Sequence, residues 1–291
     1  MPRLRALLID LSGTLHVGDT PTPNASAALK HLRESGIVLR FVSNTSKEST
    51  LNIVSTGSSL LQKMRKMDLD VREDELFTSL SAVRDLVLKR DLRYSSPALF
   101  KTPLYLLTPS ALSDFPAPSP PYNSVVVGLS PDSFAYSKLN EAFRLLAGEE
   151  GEGRRGEVPL VATHKAKYFG DKDGKLSLGP GPFISTLEEA ASCQAEIVGK
   201  PSPAFFELAL ASFASHGFSK SEVGMIGDDV LQDVGPAVAR LGLRRFLVQT
   251  GKYRRGDEDR LLNAAKEEER AAPPDWVGES FAKAVESILA E

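Results

Sequence analysis

The stretch Ala6-Leu7-Leu8-Ile9 is apolar without a break, and Asp10 ends it. A run of this length with no polar alternation is what a strand buried on both faces requires. Residues 24–36 follow, with Ala28, Leu29 and Leu32 at helical spacing and Gly36 as a stop. A second strand pattern, "IVLRFVS" (37–43), comes next. Strand, helix and strand in so short a span make a βαβ unit, which dictates a parallel sheet with a right-handed crossover.

The end of the chain repeats the rhythm. "EIVG" (196–199), "EVGMIG" (222–227) and "RRFLVQT" (244–250) read as strands. "PAFFELALASFASHG" (203–217), "DVGPAVARLG" (233–242) and the terminal "ESFAKAVESILAE" read as helices. The middle carries a second strand–helix–strand set: "LYLL" (104–107), "SVVVGL" (124–129), "KLNEAFRLLAG" (138–148) and "VPLVAT" (158–163), with a further helix over 183–193. Residues 168–183 read as turn-rich, and the Gly- and Ser-containing segment 52–61 as a loop insertion within a helical pattern. The simplest architecture is α/β. A Rossmann-like, doubly wound parallel sheet forms from 1–80 plus 193–291, and a second α/β domain is inserted over 81–192.

In such a sheet, ligands bind at the carboxyl ends of the strands near a topological switch point. The polar residues at those ends are therefore the candidates. Asp10 ends the first strand, Ser43 and Asn44 the second, Gly199-Lys200 the strand near 196–199, and Asp228-Asp229 the next, with Asp233 five residues beyond Asp228. Each alone has a plain reading as a cap or a solvated charge. Together they suit phosphoryl transfer. Asp10, Asp228 and Asp233 carry three negative charges, and a divalent ion with Lys200 carries three positive ones. Hard carboxylate oxygens suit Mg²⁺, and Asp10 can attack phosphorus. Ser43 Oγ, the Asn44 amide and N–H groups near Gly13 are candidates to hold the phosphoryl oxygens.

"DLSGT", "FVSN", "VGKPS" and "MIGDDVLQD" resemble, in order and spacing, the four motifs of the haloacid dehalogenase-like superfamily. "LGPGPF" and "TGKYR" extend the resemblance over nearly the whole chain. It implies a phosphatase with an α/β cap between the second and third motifs. It implies that Asp10 is nucleophile and metal ligand, and that Lys200 is the catalytic lysine. Ser12 would offer its backbone carbonyl to Mg²⁺, Asp228 would bind the metal directly, and Asp233 would hold a metal-bound water. Asp10, Leu11, Ser12, Ser43, Asn44 and Lys200 would surround the substrate. The expected substrate is a small phosphorylated molecule, with a phosphoprotein as the alternative. Pairing of two copies through their caps is also implied.

Ser12 departs from the pattern. Most phosphatases of this superfamily place Asp there, to protonate the leaving group and then deprotonate water. General acid–base catalysis contributes roughly 10²–10⁴-fold, and a serine hydroxyl supplies little of it. Leaving groups that need no enzymic proton are therefore expected, as in pyrophosphate and N-phosphorylated amines, with small phosphometabolites as the other expected substrates. The alternative is a member of the fold that has lost turnover and binds a phosphorylated ligand or a protein. His16 and His164 are candidates to replace part of the lost function or to read the leaving group, with Lys165 and Lys167 beside the latter.

Composition narrows the partners. The net charge of −3 gives no footprint for nucleic acid. No apolar stretch approaches the ~20 residues of a membrane span. Asp10 breaks the first apolar run and no small-residue cleavage site follows, so a cytoplasmic protein is expected. The single Cys193, without a nearby His, reads as a small core residue.

Overall fold

The computed structural model describes residues 2–49, 60–89, 102–151, 153–171, 173, 175–267 and 270–291. Strand β1 (Ala6–Ile9) leads through a small hairpin, β2 (His16–Val17) and β3 (Thr20–Pro21), into helix α1 (Ala25–Glu34) and then β4 (Val38–Ser43). After α2 (Leu60–Lys66) come β5 (Leu76–Thr78) and α3 (Ser79–Lys89). The middle holds β6 (Pro103–Leu106), α4 (Pro109–Leu112), β7 (Ser124–Val127), α5 (Tyr136–Leu146), β8 (Leu160–Ala162), β9 (Tyr168–Gly170), β10 (Leu176–Leu178), α6 (Gly181–Ala191) and β11 (Glu196–Ile197). The chain ends with α7 (Pro203–Ala211), β12 (Val223–Gly227), α8 (Pro236–Leu241), β13 (Arg244–Val248), α9 (Asp257–Arg260), β14 (Trp276–Gly278) and α10 (Phe281–Leu289).

The main sheet has the order β14-β13-β12-β1-β4-β5, with parallel pairing throughout. From β1 the chain builds outward through β4 and β5, and the later strands build outward on the other side from β12. The reversal falls between β1 and β12, so their carboxyl ends flank the switch point. Both faces are covered, which is why β1 is apolar at every position. Leu7 and Ile9 join Leu29, Phe41 and Phe281 in one layer; Ala6 and Leu8 join Phe205, Phe206 and Leu247 in the other. Each fully buried Phe or Leu stabilises the fold by about 1.5–3 kcal/mol relative to exposure.

A second parallel sheet, β11-β8-β7-β6, also lies between two apolar layers. Val125 and Val127 pack with α5 and α6; Val126 and Val161 pack with Leu80, Val83 and Val87 of α3. One local expectation fails. The 196–199 segment is not a strand of the main sheet: Glu196 pairs with Val161 and Ile197 with Ala162, at the edge of the second. A two-residue strand has too little sequence to state its partner. Within the turn-rich residues 168–183, β9 and β10 form an antiparallel hairpin with Leu178 opposite Tyr168, which the sequence reading did not include. The turn residues Asp171 and Asp173 sit at its tip, where Asp173 Oδ1 accepts from Lys175 N–H at 3.0 Å. Residues 52–59 of the supposed insertion lie outside the described residues. Among the described residues, no helix is long and apolar enough to cross a membrane.

Candidate active site

Asp10 continues directly from buried β1 and is 5% exposed. The turn after it is held by Gly13, whose φ of +103° suits glycine. Close approach requires the same residue: a Cβ at Gly13 would lie 2.1 Å from Asp228 Oδ2. Gly13 N–H donates to His16 O at 2.7 Å, and Gly13 O accepts from the Thr250 hydroxyl at 2.5 Å. Thr14 Oγ1 donates to Asp10 Oδ2 at 3.2 Å, which fixes the plane of the carboxylate.

Lys200 is buried and fully engaged. Its Nζ donates to Asp10 Oδ1 at 2.5 Å, Asp233 Oδ1 at 2.6 Å and Val42 O at 3.0 Å. Burial opposes its charge, but the carboxylates of Asp10 and Asp233 outweigh burial and raise its pKa. Because β11 belongs to the second sheet, this lysine enters from the crossover between sheets and not from a main-sheet tip. Asn44 catches it there: Oδ1 accepts from Lys200 N–H and Nδ2 donates to Lys200 O, both at 2.9 Å. Gly199 makes room, since a Cβ on it would lie 2.3 Å from Thr163 O and 2.5 Å from Asn44 Oδ1.

Asp10, Asp228 and Asp233 present oxygens within 4.8 Å of one another, all three buried. Burial, reinforced by the Asp10 charge, pushes Asp228 well above the usual carboxylate range. Burial lifts Asp233 to about 6 despite Lys200. Asp229 turns away and pairs with Lys252 Nζ at 3.1 Å, and that ammonium outweighs burial to lower its pKa. Lys252 N–H meanwhile donates to Asp228 Oδ2 at 2.6 Å. Four carboxylates and two ammonium groups leave a formal charge of −2. A divalent cation restores neutrality, and an all-carboxylate donor set is one that a hard ion prefers.

Asp10, Lys200, Asp228, Asp233 and Lys252 line a cavity of about 190 Å³, walled by both sheets' loops. At ~30 Å³ per water in the liquid, it has room for a phosphate and a small leaving group. Ser12 and Ser43 line it. Ser43 Oγ accepts from Thr45 N–H at 3.1 Å and donates to Thr45 Oγ1 at 2.9 Å. Leu11 does not reach the cavity: its side chain is fully buried and its carbonyl accepts from Leu15 and His16 N–H. The Asn44 amide and Gly13 N–H, expected to face phosphate, are committed to Lys200 and His16 instead. His16 and His164 both line the cavity. Burial lowers the pKa of His16, and Lys63 adds to this; burial with Lys252 and Lys200 brings His164 down to about 3. Lys165 is drawn off to Glu188, and Lys167 is exposed. Lys252 and Thr14 were not singled out from sequence. The signal for Lys252 lay in "TGKYR", a polar stretch just past the apolar residues 246–248.

The comparison with known proteins agrees with this geometry. A family model described as haloacid dehalogenase-like hydrolase matches residues 7–102, and a second, HAD-hydrolase-like, matches 197–284. The chain is 44% identical over 288 residues to haloacid dehalogenase-like hydrolase domain-containing protein 2 of Bos taurus, covering 98% of this chain and 96% of the relative. The chain belongs to the haloacid dehalogenase-like hydrolase family. Within the family it is also 33% identical to phospholysine phosphohistidine inorganic pyrophosphate phosphatase of Xenopus laevis, over 88% of this chain and 87% of the relative. The fold matches that of a 4-nitrophenylphosphatase from Thermotoga maritima, with a TM-score of 0.76 at 22% identity and coverage of 98% and 97%.

Proposed function

We propose that the chain is a Mg²⁺-dependent phosphatase that works through an aspartyl-phosphate on Asp10. The observation that carries the reading is the buried Lys200 ammonium, shared between Asp10 and Asp233 beside Asp228. Asp10, Asp228, Asp233 and the Ser12 carbonyl would hold Mg²⁺. When bound, the ion would polarise the phosphoryl group and offset its charge.

The residues divide the work. Lys200 and Thr14 hold the Asp10 carboxylate in one plane for attack on phosphorus. The bond from phosphorus to the leaving group breaks, and its electron pair departs with that group. Water then attacks phosphorus, the bond to Asp10 breaks, and both hydrogens of the water leave on dihydrogen phosphate. Lys200 stabilises charge in a dry setting, where it acts strongly. Asn44 is a positioning residue, because its amide grips the Lys200 backbone. Ser43 lines the cavity and would reach a phosphoryl oxygen by turning its hydroxyl proton away from Thr45 Oγ1. We read 81–192 together with β11 as a cap that excludes water over a core built from 1–80 and the chain beyond β11.

Ser12 leaves the reaction without an enzymic acid, so the preferred leaving groups are those needing no proton from the protein. Pyrophosphate and N-phosphorylated amines qualify, and the name of the Xenopus laevis relative includes both chemistries. The test is phosphate release from pyrophosphate, a phosphoramidate and an alkyl phosphate, with and without Mg²⁺. The expected result is Mg²⁺-dependent release that favours the first two and is abolished by Asp10→Asn. Release of nothing by the wild type would instead favour a pure phospho-ligand binder.

A further inference from the structure

One wall of the cavity takes no part in the chemistry above. It is formed by His16, Gly18, Glu48 and Lys63. His16 Nδ1 lies 2.8 Å from Gly18 O. A carbonyl can only accept, so Nδ1 carries the proton and Nε2 keeps its lone pair. His16 is 3% exposed, and its Nε2 has no partner among the described residues. Glu48 Oε2 is likewise a buried acceptor with no partner among the described residues. The cations of this wall are already engaged: Lys63 lies 3.3 Å from Asp19 and 3.9 Å from Glu48 Oε1, and Lys47 sits over the Phe169 ring at 4.0 Å. Among the described residues the wall therefore holds two buried acceptors that lack donors, and a buried acceptor without a donor is costly.

We propose that His16 Nε2 and Glu48 Oε2 form a leaving-group subsite that accepts N–H donors, so that the enzyme selects N-phosphorylated amines over pyrophosphate. This rests on the phosphatase reading of Asp10. The nitrogen of a phosphoramidate takes a proton from solvent, and it leaves as an amine when the P–N bond breaks. The bound leaving group then presents N–H donors to both acceptors. The leaving phosphate of pyrophosphate presents oxygen acceptors, which the His16 lone pair and the Glu48 charge disfavour. Ser12 and this wall thus select for the same property, a leaving group that brings its own proton.

The test compares kcat/KM for an N-phosphorylated alkylamine, pyrophosphate and 4-nitrophenyl phosphate, whose leaving group has no N–H. His16→Phe keeps a ring without the acceptor. Glu48→Met removes the other acceptor at a side chain that is 28% exposed, so one of the two variants tolerates the change if the other does not. The wild type should prefer the phosphoramidate to pyrophosphate. Each variant should lose about tenfold in the ratio of phosphoramidate to 4-nitrophenyl phosphate, the value of one hydrogen bond. Most of that loss should appear in KM, which a merely structural defect would not select. A ratio within twofold of wild type in both folded variants overturns the subsite and leaves the phosphatase reading intact. A wild type that prefers pyrophosphate also overturns it. No release from any of the three substrates overturns both.

Discussion

Lowering the pH should unfold this protein partly through one residue, His164. It is 5% exposed, and its Nδ1 accepts from Ala166 N–H at 3.3 Å. Burial, then the charges of Lys252 and Lys200, bring its pKa to about 3 from the ordinary 6.5. The folded pKa is depressed, so between pH 6.5 and 3 the unfolded chain holds a proton that the folded chain refuses. The neutral ring is no burden above pH 6.5, and stability is lost as pH falls through that window. At pH 5 the gap to 6.5 is 1.5 units, which at 1.36 kcal/mol per unit is about 2 kcal/mol. Asp228 and Asp233 have raised pKa values and act in the opposite sense, so the measurement must be a difference. Urea unfolding of wild type and His164→Gln at pH 7 and pH 5, without added metal, isolates the term. The wild type should lose about 2 kcal/mol more than the variant on acidification. Parallel losses, within about 0.5 kcal/mol, would refute the reasoning.

Three further outcomes are expected. Gly13→Ala forces a Cβ to 2.1 Å from Asp228 Oδ2 at a positive φ, so Mg²⁺-dependent phosphate release should fall at least a hundredfold, about 3 kcal/mol of barrier; near-wild-type release would show that the Asp10 turn can shift. Asn44→Ala removes two 2.9 Å bonds to the Lys200 backbone and should cost about 2 kcal/mol in urea unfolding, with kcat falling more than KM changes. Ser12→Asp supplies an acid on the cavity wall and should raise alkyl-phosphate turnover tenfold or more in a steady-state assay, while pyrophosphate turnover changes little.

The residues that meet at the cavity were legible because polar side chains end apolar runs. Asp10 and Asp228 each follow a strand in which every residue is buried. Sheet membership was less legible. β11 is two residues long, and β5 and β14 three each, so none shows a period that could reveal its partner. The β9–β10 hairpin hid for another reason: Leu176 and Leu178 are exposed, so no buried face marks that strand. Commitments made across the fold were also beyond the sequence. Asn44 looks equally suited to a ligand, and only the arrival of Lys200 from 156 positions away claims both ends of its amide. Lys252 lacks a motif of its own, and it matters because Asp229 has turned toward it.

The placement of Lys200 has a practical meaning for engineering. The lysine that grips Asp10 is three residues past β11, an edge strand of the other sheet, with Gly199 N–H bound to Thr163 O on the way. A chimera that exchanges the inserted region for a relative's cannot be cut at the end of α6 as if that were a neutral joint. The foreign region would bring a new neighbour for β11, and any change in its angle would be felt at Asp10 through Lys200. The exchange has to carry 196–199 with it and keep Asn44 as the anchor on the other side. Otherwise the graft disturbs the Asp10–Lys200 pair while seeming to change only the inserted region.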